Sequence, residues 1–75
     1  MRPDLNPSQA RALTRLAEHG GIARTVPFMN THDVYRSTLQ SLERRQLTRS
    51  IEHRQRNGAV VHMTRLTDAG REARS

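Results

Sequence analysis

The apolar residues of this chain fall into short segments that differ in periodicity and are separated by turn-forming residues. The first segment repeats at helical spacing: Ala10, Leu13, Leu16 and Ala17. This spacing predicts an amphipathic helix near the start of the chain. Asn6 suits its N-cap, Pro7 its first position and Gln9 a capping box, and Gly20-Gly21 is expected to end it.

A second, shorter helix is predicted around Pro27. Proline is tolerated in the first turn of a helix but not in its interior, so this helix must begin near Arg24. Its apolar residues are expected to contact the core: Val26, Phe28 and Met29. Ile22, just before it, fits either a short strand or the start of a turn.

The clearest helical pattern covers residues 31–46. One apolar stripe recurs at i, i+4 and i+7: Tyr35, Leu39 and Leu42. Asn30 or Thr31 can cap this helix, and Leu47 follows beyond its end. The opposite face is polar: His32, Asp33, Arg36, Ser37, Gln40 and Arg44.

Over residues 47–67 the period changes to two, and Asn57-Gly58 marks a hairpin. A two-residue turn pairs His53 with His62 but mixes apolar and charged residues on both strand faces. A three-residue loop over residues 56–58 separates the apolar residues from the charged ones more cleanly, so we favour that register. It places four apolar residues on one face: Leu47, Ile51, Val61 and Met63.

The order of these elements predicts the fold. Thr67 is expected to cap a last short helix over residues 68–74. Helix, short helix, long helix, hairpin and short helix is the plan of a winged helix-turn-helix. We therefore predict one winged-helix domain over residues 1–75, mainly α with a β-hairpin wing (α+β). Its predicted core contains eight residues: Leu13, Leu16, Tyr35, Leu39, Leu42, Leu47, Ile51 and Met63.

The charge of the chain indicates a polyanionic partner. The 75 residues carry a formal net charge of +6, and all 13 basic side chains are arginines. Lysine-free composition is equally expected of a GC-rich genome, but arginine also suits phosphates and guanine edges. The basic density is highest at the end of the long helix and in the hairpin: Arg44, Arg45, Arg49, Arg54 and Arg56, against one acid, Glu52.

Catalytic and metal chemistry find no support in the sequence. The chain has no cysteine, and of its four histidines only His53 and His62 are expected to meet, beside Glu52. Zinc sites need three or four converging ligands. No nucleophile–base pair or phosphate-binding glycine loop has meaningful spacing. We therefore expect no enzyme, no metal and no cofactor.

The chain is also expected to act away from membranes. No apolar run approaches the ~20 residues that span a bilayer, and the start Met1-Arg2-Pro3-Asp4 does not resemble a signal peptide. A basic chain without these signals is expected in the cytoplasm, associated with the nucleoid.

Two segments resemble the MarR-type (multiple antibiotic resistance regulator) winged-helix regulators. Residues 35–47, YRSTLQSLERRQL, look like that family's recognition helix and its closing Leu-x-x-x-Gly-Leu, with Gln46 where the family usually has glycine. Residues 66–71, LTDAGR, look like its Leu-Thr-x-x-Gly-Arg after the wing. The likeness covers residues 31–71 and implies a winged-helix fold that binds DNA.

The leading hypothesis is sequence-specific binding of double-stranded DNA by a small transcriptional regulator of the repressor type. Helix 31–46 is expected in the major groove, and hairpin 48–66 is expected to act as the wing. Arg36, Ser37 and Gln40 are candidates for base edges, and the wing arginines for phosphates. The full set of predicted DNA-binding residues is Thr31, His32, Arg36, Ser37, Gln40, Arg44, Arg49, Arg54 and Arg56.

Two other functions remain open at this stage. One is a protein-binding winged helix, such as a phage-encoded adaptor or inhibitor, which should expose apolar surface at Val60 or at Phe28-Met29. The other is an excisionase-type architectural factor that bends DNA. One recognition helix and one wing cover about one half-site, so we expect a homodimer on DNA, joined by the first helix or the terminal segment.

Overall fold

The computed structural model describes residues 5–74, and within them the chain forms four helices and a three-stranded antiparallel sheet. The predicted domain also includes residues 1–4 and 75, which lie outside the described part. The elements in chain order are α1 (Pro7–Glu18), β1 (Ile22–Arg24), α2 (Thr25–His32), α3 (Arg36–Arg44), β2 (Thr48–Arg54), β3 (Val60–Leu66) and α4 (Asp68–Arg74). The strand order is β1-β3-β2. This α+β arrangement is compatible with the expected winged-helix plan.

The local signals at both ends of α1 are confirmed. The Asn6 carboxamide oxygen accepts a hydrogen bond from the Gln9 backbone N–H at 2.8 Å, and the Gln9 side-chain oxygen accepts one from the Asn6 N–H at 3.1 Å. Pro7 is the first helical residue. Gly20 and Gly21 follow the helix with φ of 83° and 91°, a region that glycine enters without a steric cost. The sequence therefore specifies this helix almost by itself.

The predicted short helix exists, and its start is close to the expected one. α2 begins at Thr25 directly after strand β1, which places Pro27 in the first turn. Phe28 is 2% exposed, and Met29 packs against the core. Val26 was expected in the core as well, but it is 52% exposed. A helix of eight residues presents one narrow face to the core, and Phe28 occupies it.

The predicted boundaries of the long helix are wrong. Residues 31 and 32 belong to α2, so Asn30 and Thr31 cap nothing at the start of α3. The chain leaves α2 through Asp33 in the left-handed conformation, with φ of 54° and ψ of 47°. Asp33 donates its backbone N–H to the Met29 carbonyl there. Aspartate tolerates this conformation better than most residues, so two short helices form instead of one long helix.

The same turn moves Tyr35 out of the predicted core. Tyr35 is the N-cap of α3, in extended conformation, and is 66% exposed. Val34, one residue earlier, is buried in its place at 9% exposure. The i, i+4, i+7 spacing that includes Tyr35 holds only inside a continuous helix, and the helix here starts one residue after it.

The core is built from α1, α3 and the inner face of the sheet. The prediction is confirmed for five leucines: Leu13, Leu16, Leu39, Leu42 and Leu47. The remaining core residues come from the other elements and the turn between α2 and α3: Ala12, Ala23, Phe28, Val34 and Leu66. Ala12, not Ala10, completes the buried side of α1, and Ala10 is exposed.

The hairpin adopts the favoured register. Ile51 pairs with Met63, and the Gln55 N–H donates to the Ala59 carbonyl at 2.7 Å, which leaves the three-residue loop over residues 56–58. Gly58 has φ of 89°, a conformation that favours glycine. The hairpin prediction is therefore confirmed in both its register and its turn.

The helices cover the face of the sheet opposite to the predicted one. Thr48, Thr64 and Leu66 are buried on the face that meets the helices, and the Thr64 hydroxyl lies 2.9 Å from the Thr25 hydroxyl. Ile51 and Met63 share a face, as expected, but this face points away from the helices, and both side chains are half-buried. Their assignment to the core is wrong. Alternation shows which residues share a face but not which face is covered.

Helix α4 approaches the turn after α3 more closely than any side chain would permit. The Thr67 hydroxyl accepts a hydrogen bond from the Gly70 N–H at 3.0 Å, so Thr67 caps α4 as predicted. A Cβ added at Gly70 would collide with the Leu47 backbone carbonyl oxygen and come within 2.8 Å of the Leu66 side chain. Gly70 therefore permits the close packing of α4.

Gly70→Ala is expected to lower the free energy of unfolding by about 1–3 kcal/mol, the usual range for overpacking. Helix propensity alone predicts a gain of roughly 0.5–1 kcal/mol from this change. The control is Ala69→Gly at the exposed neighbouring position, which should cost about 1 kcal/mol or less. Urea unfolding of the three proteins measures both effects. A stabilised Gly70→Ala protein would show that the close approach is not real.

A left-handed residue also connects α3 to the hairpin. Gln46 has φ of 61°. Its carbonyl accepts a hydrogen bond from the Thr67 hydroxyl at 2.7 Å, and the next residue, Leu47, donates its N–H to the Leu42 carbonyl at 3.0 Å. The backbone at this point is therefore held in a conformation that a side chain opposes.

Gln46→Gly should raise the free energy of unfolding by roughly 0.5–1 kcal/mol, because the steric cost of the left-handed conformation disappears while the backbone hydrogen bonds remain. The matched change inside α3, Gln40→Gly, should instead cost about 1 kcal/mol. Thermal unfolding of both variants and of the wild type measures these two changes in stability. The same sign of change in both would contradict the assignment of strain to Gln46.

Candidate nucleic-acid interface

The exposed side of α3 is polar along its whole length. Leu39 and Leu42 point into the core, and at 3.6 residues per turn Ser37 and Arg44 lie opposite them, with Gln40 beside them. The exposed residues of this side are Arg36, Ser37, Gln40, Glu43 and Arg44. Four of them were predicted as DNA-binding residues. Because burial of the leucines fixes the rotation of the helix, these side chains project outward together.

The hairpin continues this surface. The Ser50 hydroxyl on β2 donates a hydrogen bond to the Glu43 carboxylate at 3.2 Å, so this face of the strand meets α3. Alternation places Arg54 on the same face, four residues further along β2. We call the set Arg36, Ser37, Gln40, Glu43, Arg44 and Arg54 the α3–wing surface. Arg56 lies in the exposed loop at the tip of the hairpin.

The electrostatics of the α3–wing surface are mixed but dominated by arginine. Within residues 5–74, none of Arg36, Arg44 and Arg54 lies within 4.0 Å of a carboxylate oxygen. By the same alternation, Glu52 also lies on this strand face, where it pairs with His62. Sequence reasoning missed Glu43, which carries the negative charge of the α3 part of the set. Its signal in the sequence was its position, one turn after Gln40 on the polar face of the predicted helix.

Two predicted site residues lie outside this surface, on α2. Thr31 is exposed on the last turn of that helix, and His32 is its final residue. The His32 ring contacts Phe28 and His19, so its imidazole belongs to an aromatic cluster between α1 and α2. Their assignment to the recognition helix is wrong because the chain breaks at Asp33.

Arg49, another predicted DNA-binding residue, also lies outside the α3–wing surface. It pairs with Arg65 on the sheet face that points away from α3. Both line a groove at the α4 end of the sheet, together with Arg71. Arg45 is also not part of the α3–wing surface, because its guanidinium donates a hydrogen bond to the buried Gln9 side chain at 3.2 Å. The dense run of arginines in the sequence therefore does not form one continuous surface.

The sheet face opposite the helices combines apolar side chains with arginines. Its apolar members are exposed or half-buried: Ile22, Ile51, Val61 and Met63. Its basic members are Arg24, Arg49 and Arg65, and His53 is beside them. We call this set the outer sheet face. None of its three arginines lies within 4.0 Å of a carboxylate oxygen in the described part of the chain.

The four histidines do not meet as the sequence suggested. In the observed register His53 pairs with Val61 and His62 with Glu52, so the two wing histidines lie on opposite faces. His19 and His32 meet instead. Among the described residues, no group of three or more His, Asp or Glu side chains converges to hold a metal ion.

Two further observations complete the description of the site. None of the helices within residues 5–74 is long and apolar enough to cross a membrane. Comparisons with models of protein families, with curated proteins and with solved structures found no match to this chain.

Proposed function

We propose that this chain binds double-stranded DNA sequence-specifically, as a small winged-helix transcriptional regulator of the repressor type. α3 enters the major groove, and the β2–β3 hairpin acts as the wing. One observation carries the proposal: the exposed side of α3 and Arg54 of the hairpin lie on the same side of the molecule, joined by the Ser50–Glu43 hydrogen bond.

The dimensions of α3 support this assignment. An α-helix with its side chains is about 10–12 Å across, and the major groove of B-DNA is about 12 Å wide. Arg36 and Gln40 lie one turn apart on the exposed side, where their forked polar groups suit guanine and adenine edges. We assign base contacts to these two residues and to Ser37.

The hairpin supplies the contacts that position the protein. All residues from 52 to 60 are exposed, so this part of the wing is available to a partner. Arg54 and Arg56 are assigned to phosphates, which attract arginine regardless of sequence. The likeness of residues 31–71 to MarR-type regulators supports the same docking. One such unit covers one half-site, and we propose a homodimer on DNA in the cytoplasm, associated with the nucleoid.

The two kinds of contact predict two classes of variant. Arg54→Gln and Arg56→Gln should weaken binding to all duplexes alike and flatten the slope of log K against log salt by about one unit each. Arg36→Gln and Gln40→Ala should cost about 1–3 kcal/mol on the preferred site and little on random DNA. Fluorescence anisotropy over a range of salt concentrations, on a selected site and on random duplex, measures both.

Arg49→Gln is the matched control for these variants. It removes the same charge from the outer sheet face, so it should leave the salt slope unchanged. A wild-type protein without salt-sensitive affinity for any duplex would overturn the proposal. An Arg49→Gln effect equal to that of Arg54→Gln would contradict the assignment of the phosphate contacts to the α3 side of the sheet.

A second candidate function is favoured by the outer sheet face. Ile51, Val61 and Met63 form an apolar strip beside arginines that make no ion pair within residues 5–74, a chemistry that a DNA backbone does not match. It suits a protein that presents apolar and acidic groups. A second copy of the chain would oppose arginine to arginine, so the outer sheet face fits a different protein. The apolar sites predicted from the sequence are not part of this face. Val60 is exposed on the α3 side of the hairpin, and Phe28 is buried.

Photo-cross-linking in cells that produce the protein can distinguish the two functions. A photo-reactive amino acid replaces Val61 in one variant and Gln40 in the other. The Gln40 position should cross-link to DNA if α3 reads the major groove. The Val61 position should cross-link to one protein if the outer sheet face is used. A protein cross-link that disappears with Met63→Gln supports this second function, and the absence of any cross-link from Val61 contradicts it.

A further inference from the structure

We propose that His19 and His32 form a binding site for one borderline divalent transition-metal ion, such as Ni²⁺, Cu²⁺ or Zn²⁺. The two residues are 13 positions apart in sequence, and their Nε2 atoms approach to 2.8 Å. The site is separate from the α3–wing surface and does not depend on DNA binding.

Packing holds the two rings in place. His19 is the C-cap residue of α1, and His32 is the last residue of α2. Their ring centroids are 5.0 Å apart with the planes at 81°. Phe28, which is buried, touches both rings, with centroids 5.6 Å from His19 and 5.1 Å from His32. The ends of two helices and a common aromatic support therefore hold the two Nε2 atoms close together.

The spacing of the nitrogen atoms suits a metal. In the neutral pair, one Nε2–H donates to the other Nε2, so a single proton lies between the two atoms. With metal–nitrogen bonds of about 2.0–2.1 Å, two imidazoles at a right angle have nitrogens ~2.9 Å apart, and at a tetrahedral angle ~3.3 Å. The observed 2.8 Å is close to the first value. A metal can replace the shared proton once both rings carry their proton on Nδ1.

The surroundings also favour a cation. Two helices end at the pair, and helix C-termini carry a partial negative charge that attracts cations. His19 is exposed and His32 half-buried, so the site is open to solvent and water can fill the remaining coordination positions. Imidazole selects borderline metals over Mg²⁺, which prefers oxygen ligands.

A bound ion would tie the end of α1 to the end of α2. His32 is followed directly by the left-handed Asp33 and the turn into α3. Fixing this point stiffens the segment that precedes α3, so metal binding should stabilise the folded chain. By linkage, a metal concentration about ten times the dissociation constant should raise Tm by roughly 5–10 °C in a domain of this size.

Thermal unfolding of the full chain at neutral pH with Ni²⁺, Zn²⁺ or Mg²⁺ tests the site. We expect Ni²⁺ and Zn²⁺ to raise Tm and Mg²⁺ to leave it unchanged. His19→Gln and His32→Gln should each abolish the rise. The double variant His53→Gln/His62→Gln, which removes two histidines from the exposed wing, should respond like the wild type.

A second measurement keeps the test decisive if a variant fails to fold. In the wild-type protein, Zn²⁺ should shift the Nε2 resonances of His19 and His32 and leave those of His53 and His62 in place. A stoichiometry of one bound ion per chain supports the site as described. A stoichiometry of one ion per two chains, with a doubled mass in solution, supports a site in which the histidine pair of a second copy supplies the other ligands. An absent Tm rise without Nε2 shifts, or a rise kept in both His variants, overturns the proposal and makes the pair a simple hydrogen bond.

Discussion

Burial of Leu39 and Leu42 against α1 is the constraint on which the rest of the molecule depends. Leu42 is fully buried beside Leu13 and Leu16, and α3 has only nine residues with which to anchor itself. In so short a helix, two inward side chains determine the rotation about the axis. The outward direction of Gln40 is thus a consequence of hydrophobic packing. The core and the candidate reading surface are two sides of one element.

Polar contacts then fix the ends of α3. The side chain of Gln9, buried at 6% exposure, donates to the Ser41 hydroxyl and accepts from Arg45, which ties the start of α1 to the second half of α3. The Thr67 hydroxyl donates to the Gln46 carbonyl and accepts from α4. Buried polar groups are costly unless paired, so these bonds favour one arrangement of α1, α3 and the hairpin over alternatives.

The parts predicted correctly from the sequence are those that local chemistry decides. The Asn6 cap, the Gly58 loop and the Thr67 cap each depend on residues within a few positions. The errors arise where distant packing decides between similar local options. The break at Asp33 moved Thr31 and His32 away from α3, and the choice of covered sheet face left Ile51 and Met63 outside the core. The His19–His32 contact joins two helices, and no spacing rule points to it.

The distribution of charge changes what the composition means. A net charge of +6 suggests one basic surface, but the sheet divides the arginines between two faces of different chemistry. On the α3 side they stand among polar residues, Ser37 and Gln40, as a duplex requires. On the outer sheet face they surround Ile51 and Met63, and a duplex has nothing to match an apolar strip. In the proposed binding to DNA, long-range attraction depends on the total charge, whereas orientation depends on which face makes contact. In this fold the polar side chains of α3, rather than the number of arginines, therefore favour one docking face over the other.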